Sequence, residues 1–325
     1  MKKFKVTKRY FAGIAAVVLA VAGLGLSSAY AGSEIDLSKK CSLTLNVAGD
    51  TYAEDLQGAG FTAKIYQVAS VNENGIYIDL EAYQELKIGE TVQKGGDWSS
   101  KAQDAAAIAA EETPDAEITI SGGTGKAENL EAGMYLVDVE NGVTECYEYS
   151  FSPYLICVPD NLYGHTQDPK DNSYVYDVTA GLKPEQSPRY GDLKIQKTLS
   201  SYNTSLESVT FVFQVEAVDA NGKVVYSNAL STTHNAAGTK ELVVKDIPAG
   251  STVTVKEVYG GASYEAVSSK EVKTVIAAED TVTAAFSNGY DEQLISSNGV
   301  TNHFEYDQNK GWQWKKLEDN SAVNQ

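Results

Sequence analysis

The chain has 325 residues, with 44 acidic against 26 basic side chains and a formal net charge of −18 at pH 7. A surface this acidic is not held to nucleic acid or to anionic membranes by charge, so neither is expected as a partner. No catalytic thiol is expected either: a nucleophilic cysteine needs a base beside it, and His165, His234 and His303 stand in polar, turn-like sequence. Nothing in the pattern calls for a metal or a small-molecule cofactor.

Lys2, Lys3, Lys5, Lys8 and Arg9 precede an apolar run at 12–26, and Ala29-Tyr30-Ala31 offers a small-x-small cleavage site. Residues 1–31 therefore read as a secretory signal peptide, too short to favour a membrane span, and the remainder is expected outside the cell. An oxidising compartment allows one disulfide among Cys41, Cys146 and Cys157, with one thiol left over; the sequence does not choose the pair.

Glycine, proline and asparagine punctuate short alternating segments, the signature of a β-rich protein. Residues 41–47 (CSLTLNV) open the first domain as a strand. In Phe61–Val71, Phe61, Ala63, Ile65 and Gln67 alternate with Thr62, Lys64, Tyr66 and Val68, which makes a strand with two distinct faces. Extension resumes at 76–80. Residues 99–112 make the one good helix, capped by Ser99 or Ser100 and stopped at Thr113-Pro114. Short strands follow at 117–121, 134–139, 145–151, 154–158 and 174–179. This spacing predicts a β-sandwich over 32–180 with a helical insertion. Residues 181–190 (GLKPEQSPRY), with two prolines and few apolar side chains, read as a linker.

The second domain, 191–290, opens with GDLKIQKTL. Alternation sets Leu193, Ile195 and Lys197 on one face, and a lysine on an inward face is costly unless it is neutralised or paired. A register slipped by one would turn Lys194 inward but would expose Leu193 and Ile195. Strands at 210–218, 223–226, 241–245, 252–258, 272–276 and 282–286 complete an immunoglobulin-like sandwich. The two domains are related: 129–140 (NLEAGMYLVDVE) aligns without a gap on 246–257 (DIPAGSTVTVKE), which sets Glu140 against Glu257. Leu43 and Leu45 likewise match Leu193 and Ile195, and Val47 takes the position of Lys197.

Opening and closing strands of a sandwich commonly lie side by side, which would bring Lys197 to Asn288, with Glu257 arriving from a neighbouring strand. These three groups can react. Burial lowers a lysine's pKa toward the nucleophilic free amine, and a buried carboxylic acid stays protonated and polarises an amide carbonyl. Fixed proximity replaces the bimolecular encounter. The amine would displace ammonia from the asparagine and leave an amide between side chains of the first and last strands. Asn302 is a second candidate acceptor.

The ordered set GDLKIQKTL, FVFQV, DIPAGSTVTVKEV and VTAAFSN is similar to the collagen-adhesin B-type and streptococcal pilin linkage domains of Gram-positive surface proteins. That resemblance implies a Lys197–Asn288 isopeptide cross-link with Glu257 as its catalyst. AGMYLV, FSPYLICVP and YVYDVTAGLKPE resemble the N-terminal domain of sortase-assembled pilins, which implies other pilin subunits and a pilus-type sortase as partners. Lys183 matches the lysine that accepts a neighbouring subunit's C-terminus, although its surroundings depart from the usual Tyr-Pro-Lys-Asn form. The sorting signal of a wall-anchored pilin is not found in 291–325, which reads either as a truncated sequence or as a subunit that cannot donate its C-terminus. That tail predicts one hairpin, 302–306 with 311–315, carrying Phe304, Tyr306, Trp312 and Trp314. The expected role is structural rather than enzymatic, in a pilus or stalk at the cell surface. The rival is an adhesin module that binds a host glycan or matrix protein through the tyrosines of 147–163 or the tail tryptophans. A hydrolase lacks any nucleophile-plus-base pattern.

Overall fold

The computed structural model describes residues 34–161, 173–293 and 303–315, so the expected signal peptide, Tyr163, His165 and Asn302 lie outside the described residues. The chain divides into two compact units, Met1–Thr144 with Tyr149–Gln186, and Glu145–Glu148 with Ser187–Gln325. Each is a β-sandwich, and the first carries the helical insertion.

The first unit begins with β1 (Cys41–Asn46), a short helix α1 (Ala53–Gln57), β2 (Phe61–Val71) and β3 (Tyr77–Asp79). A 3-10 helix at Glu81–Leu86 leads into α2 (Ile88–Lys94) and α3 (Trp98–Ala109). The strands then resume as β4 (Ala116–Ile120), β5 (Thr124–Leu130), β6 (Gly133–Val139) and β7 (Gly142–Val143). They continue through β8 (Tyr147–Phe151), β9 (Tyr154–Val158), β10 (Asp160–Asn161), β11 (Tyr174–Val175), β12 (Asp177–Gly181) and β13 (Pro184–Pro188). Two of its sheets, β12-β1-β5 and β3-β2-β6-β9 with β4 added to β2, make the sandwich. The stretch expected as a linker thus holds β13 and the end of β12.

Burial explains where the alternation of β2 breaks down. Phe61, Ala63 and Ile65 are buried on one face, and the register then shifts between Gln67 and Ala69, so Gln67 is left half-buried. On the other face Tyr66 and Val68 pack with Tyr83, Leu86, Ile88, Ala105, Ala109, Met134 and Leu136. The insertion covers that face, and both sides of the sheet are therefore apolar. The cap of α3 is Asp97 rather than a serine: its carboxylate accepts from the backbone nitrogens of Ser99 and Ser100 at 3.0 and 3.1 Å. A carboxylate at that end also meets the positive end of the helix dipole. The helices α1 and α2 are too short to leave a periodic signal in the sequence.

The second unit is the simpler sandwich. It comprises β14 (Tyr190–Leu199), β15 (Val209–Val218), β16 (Val224–His234), β17 (Gly238–Pro248) and β18 (Thr252–Tyr259). After these come β19 (Tyr264–Ala266), β20 (Glu271–Val275), β21 (Thr281–Tyr290) and a hairpin, β22 (His303–Asp307) with β23 (Gly311–Lys315). Its sheets run β17-β14-β21-β19 and β16-β15-β18-β20. Leu193, Ile195, Phe211, Phe213, Val253, Val255, Ala284 and Phe286 fill the space between them.

The repeat extends to the topology. In both units the opening strand pairs in parallel with the closing one, β1 with β12 and β14 with β21. On its other edge the opening strand pairs antiparallel, β1 with β5 and β14 with β17. Even the backbone entering the repeated segment agrees. Asn129 and Asp246, aligned in the sequence, both adopt the left-handed conformation, at φ 62° and 57°; asparagine and aspartate tolerate it better than most residues.

Candidate functional site

The inward face of β14 carries Leu193, Ile195, Lys197 and Leu199 in unbroken alternation, all buried. Lys194 points the other way, part-exposed and 3.3 Å from Glu241, which excludes the slipped register. Parallel pairing sets Lys197 beside Phe286 and Leu199 beside Asn288, so the long lysine side chain reaches two positions along the neighbouring strand. Glu257 shares its inward phase on β18 with Val253 and Val255. Lys197, Glu257 and Asn288 are 0%, 7% and 1% exposed.

These three side chains meet. Lys197 Nζ donates to Glu257 Oε1 at 2.6 Å and to Asn288 Oδ1. Its Nζ lies 4.2 Å from the centre of the Phe211 ring. Burial holds the Lys197 amine below its ordinary pKa, outweighing the hydrogen bond and the charge of Glu257, both of which act to raise it. Glu257 Oε2 is buried and has no hydrogen-bond partner among the described residues. The amine thus touches both the amide oxygen of Asn288 and a carboxyl oxygen of Glu257, and all three side chains are buried.

Lys183 is half-buried, its Nζ 4.6 Å from the centre of the Tyr154 ring, and burial lowers its pKa. Cys41 and Cys157 stand as buried free thiols. Cys157 lies in the core beneath the helical insertion and Cys41 on β1 in the other sheet, and burial pushes their thiols up to about 12 and about 11. Cys146 is half-buried. His234, expected in polar surroundings, instead ends β16 facing inward, 1% exposed, with its ring edge-on to Phe211 at 5.5 Å. Among the described residues no group of acidic, cysteine and histidine side chains is arranged to hold a metal, and no helix is long and apolar enough to cross a membrane. The hairpin β22–β23 is present; its Tyr306 and Trp312 rings lie 5.6 Å apart, and Ser227 Oγ donates to the Trp312 carbonyl at 2.8 Å.

A family model described as a domain of unknown function, DUF5979, matches residues 193–291, the span from β14 to the end of β21 that encloses the cluster. Among solved structures the chain is similar to GBS52, the minor pilin of Streptococcus agalactiae, at 12% identity and a TM-score of 0.23, over 80% of this chain and 99% of that one. It is also similar to the major pilin SpaD of Corynebacterium diphtheriae, at 13% identity and a TM-score of 0.27, over 79% of this chain and 99% of that one. The Bacillus anthracis TIE protein matches at 15% identity and a TM-score of 0.32, over 77% of this chain and 34% of that one. No curated protein matches the chain.

Proposed function

We propose that this protein is an exported structural subunit of a bacterial surface fibre, and that its second unit is closed by a self-formed isopeptide bond between Lys197 and Asn288. The observation that carries this reading is the buried contact of Lys197 with Glu257 and Asn288 on adjoining strands. Burial disfavours the lysine cation, so the proton it shares with Glu257 moves to the carboxylate. The free amine then attacks Cγ of Asn288 while the Glu257 acid polarises the amide oxygen. A tetrahedral intermediate forms, Glu257 relays a proton from Nζ to Nδ2, and ammonia departs. The product is a secondary amide that ties β14 to β21. Each molecule reacts once, so the chemistry is a maturation step and not a turnover.

The fibre role rests on the order of motifs in the sequence. Lys183 is the residue we assign to accept a neighbouring subunit through a pilus-type sortase. Burial lowers its pKa toward the free amine that such an attack requires, and its Nζ stands 4.6 Å from the centre of the Tyr154 ring. Intact-protein mass spectrometry tests the central claim. The mature chain should weigh one ammonia less than its sequence, and Lys197→Ala should restore the full calculated mass. A wild-type protein of full mass would sink the cross-link.

A second reading, an adhesin module, is favoured by the exposed aromatic pair at the hairpin, where Tyr306 is 63% and Trp312 46% exposed. Glycan or matrix-protein binding that disappears in Trp312→Ala would select it.

A further inference from the structure

Asn288 is held by its side-chain nitrogen as well as by its oxygen. Nδ2 donates to the carbonyl oxygen of Gly260 at 3.2 Å. The Gly260 carbonyl sets this orientation of the amide: with the two atoms exchanged, Oδ1 would face a carbonyl, acceptor against acceptor. The backbone of Asn288 is fixed too. Its carbonyl accepts from Ser200 N at 2.9 Å and from Ser200 Oγ at 3.0 Å, and its strand neighbours are Leu199 and Ala266.

We propose that the Gly260 carbonyl is the leaving-group acceptor of the cross-linking reaction, holding the nitrogen that departs as ammonia. This rests on the reading of Lys197, Glu257 and Asn288 given above. As the Nζ–Cγ bond forms, one Nζ proton passes through Glu257 to Nδ2, the Cγ–Nδ2 bond breaks, and ammonia leaves with that proton; no co-reactant is required. Nδ2 gains positive character as it is protonated, so its hydrogen bond to a carbonyl oxygen strengthens between ground state and transition state. Only a contact that strengthens in this way accelerates a reaction. Gly260 and Gly261 are half-buried and Ala262 is exposed, so the departing nitrogen is handed toward the solvent side of the core.

A side chain at 260 would press on the leaving nitrogen itself. A Cβ at 260 would lie 2.9 Å from Asn288 Nδ2 and 3.8 Å from Glu257 Oε1. The turn has little room to shift, because Gly261 holds φ +85° and a Cβ there would come within 2.5 Å of Val209 Cγ2.

The test uses the full chain, made by cell-free synthesis, with ammonia release and mass followed over time. Gly260→Ala should mature more slowly than wild type by about tenfold or more, while the loop control Ala262→Ser keeps the wild-type rate. Gly260→Ala maturing at the wild-type rate overturns the proposal. Should that variant fail to fold, hydrogen exchange at the Asn288 side-chain amide in the uncross-linked Glu257→Gln protein decides instead: slow exchange supports the Gly260 contact, and exchange as fast as at an exposed asparagine overturns it. A wild-type chain that releases no ammonia removes the cross-link reading itself, and the exchange measurement still reports on Gly260.

Discussion

Leu43, Leu45 and Val47 are buried along the opening of the first unit, and Leu193, Ile195 and Lys197 along the opening of the second. The strand plan is shared, yet only one unit assembles reactive groups. The glutamates separate them most clearly. Glu257 lies in phase with Val253 and Val255, inside the sandwich. Glu140 lies in phase with Met134 and Leu136, which pack under the helical insertion, and it is exposed with a 2.7 Å ion pair to Lys64. Two residues aligned without a gap therefore face opposite sides of their sheets. The closing strands differ as well. Leu45 pairs with Ala180 as Ile195 pairs with Ala284, and counting on from that register sets Pro184 where the second unit has Asn288. The first unit thus lacks the amine, the inward acid and the amide, and it gains its second apolar face from helices instead.

Breaking the second unit should have the largest effect. Lys197→Ala would remove the proposed covalent tie between residues 91 positions apart, worth about 4–5 kcal/mol by the loop-entropy argument and roughly 20 °C in its Tm by calorimetry. Building the lysine into the first unit should cost nearly as much. Val47→Lys buries an amine with no inward acid, so chemical denaturation should show that unit destabilised by about 3 kcal/mol, with no mass lost.

Next comes a change of leaving group. Asn288→Asp expels water in place of ammonia, both of its protons coming from the Lys197 ammonium, so intact mass should fall by one water and not by one ammonia. The smallest effect belongs to the insertion. Asp97→Ala removes the α3 cap and should cost about 1 kcal/mol in the first unit's calorimetric transition, leaving the second unchanged.

The alternation of GDLKIQKTL was enough to read the face of Lys197, because a single slip would have exposed two aliphatics. Asn288 followed from the neighbouring of terminal strands, and Glu257 from a repeat. That same repeat misleads at Glu140, since an ungapped alignment carries no information about which face a second layer covers. β5 was illegible because only Ala127 and Leu130 of its residues are buried, and β19 because three residues leave no period. Nothing in the sequence marks Gly260, whose part is played by its backbone carbonyl. The inward turn of His234 was hidden by the polar residues around it.

The parallel pairing of β14 with β21 has a mechanical consequence once the bond is made. A pull on the two ends of the second unit enters through adjoining strands and crosses directly from Lys197 to Asn288. The chain between them, 91 residues apart in sequence, carries no load. About 300 Å of contour length that an unbridged sandwich would pay out under tension stays locked away. A fibre of such subunits would respond to a tug as a rod of nearly fixed length, and its give would come from whatever lies outside the bridged span.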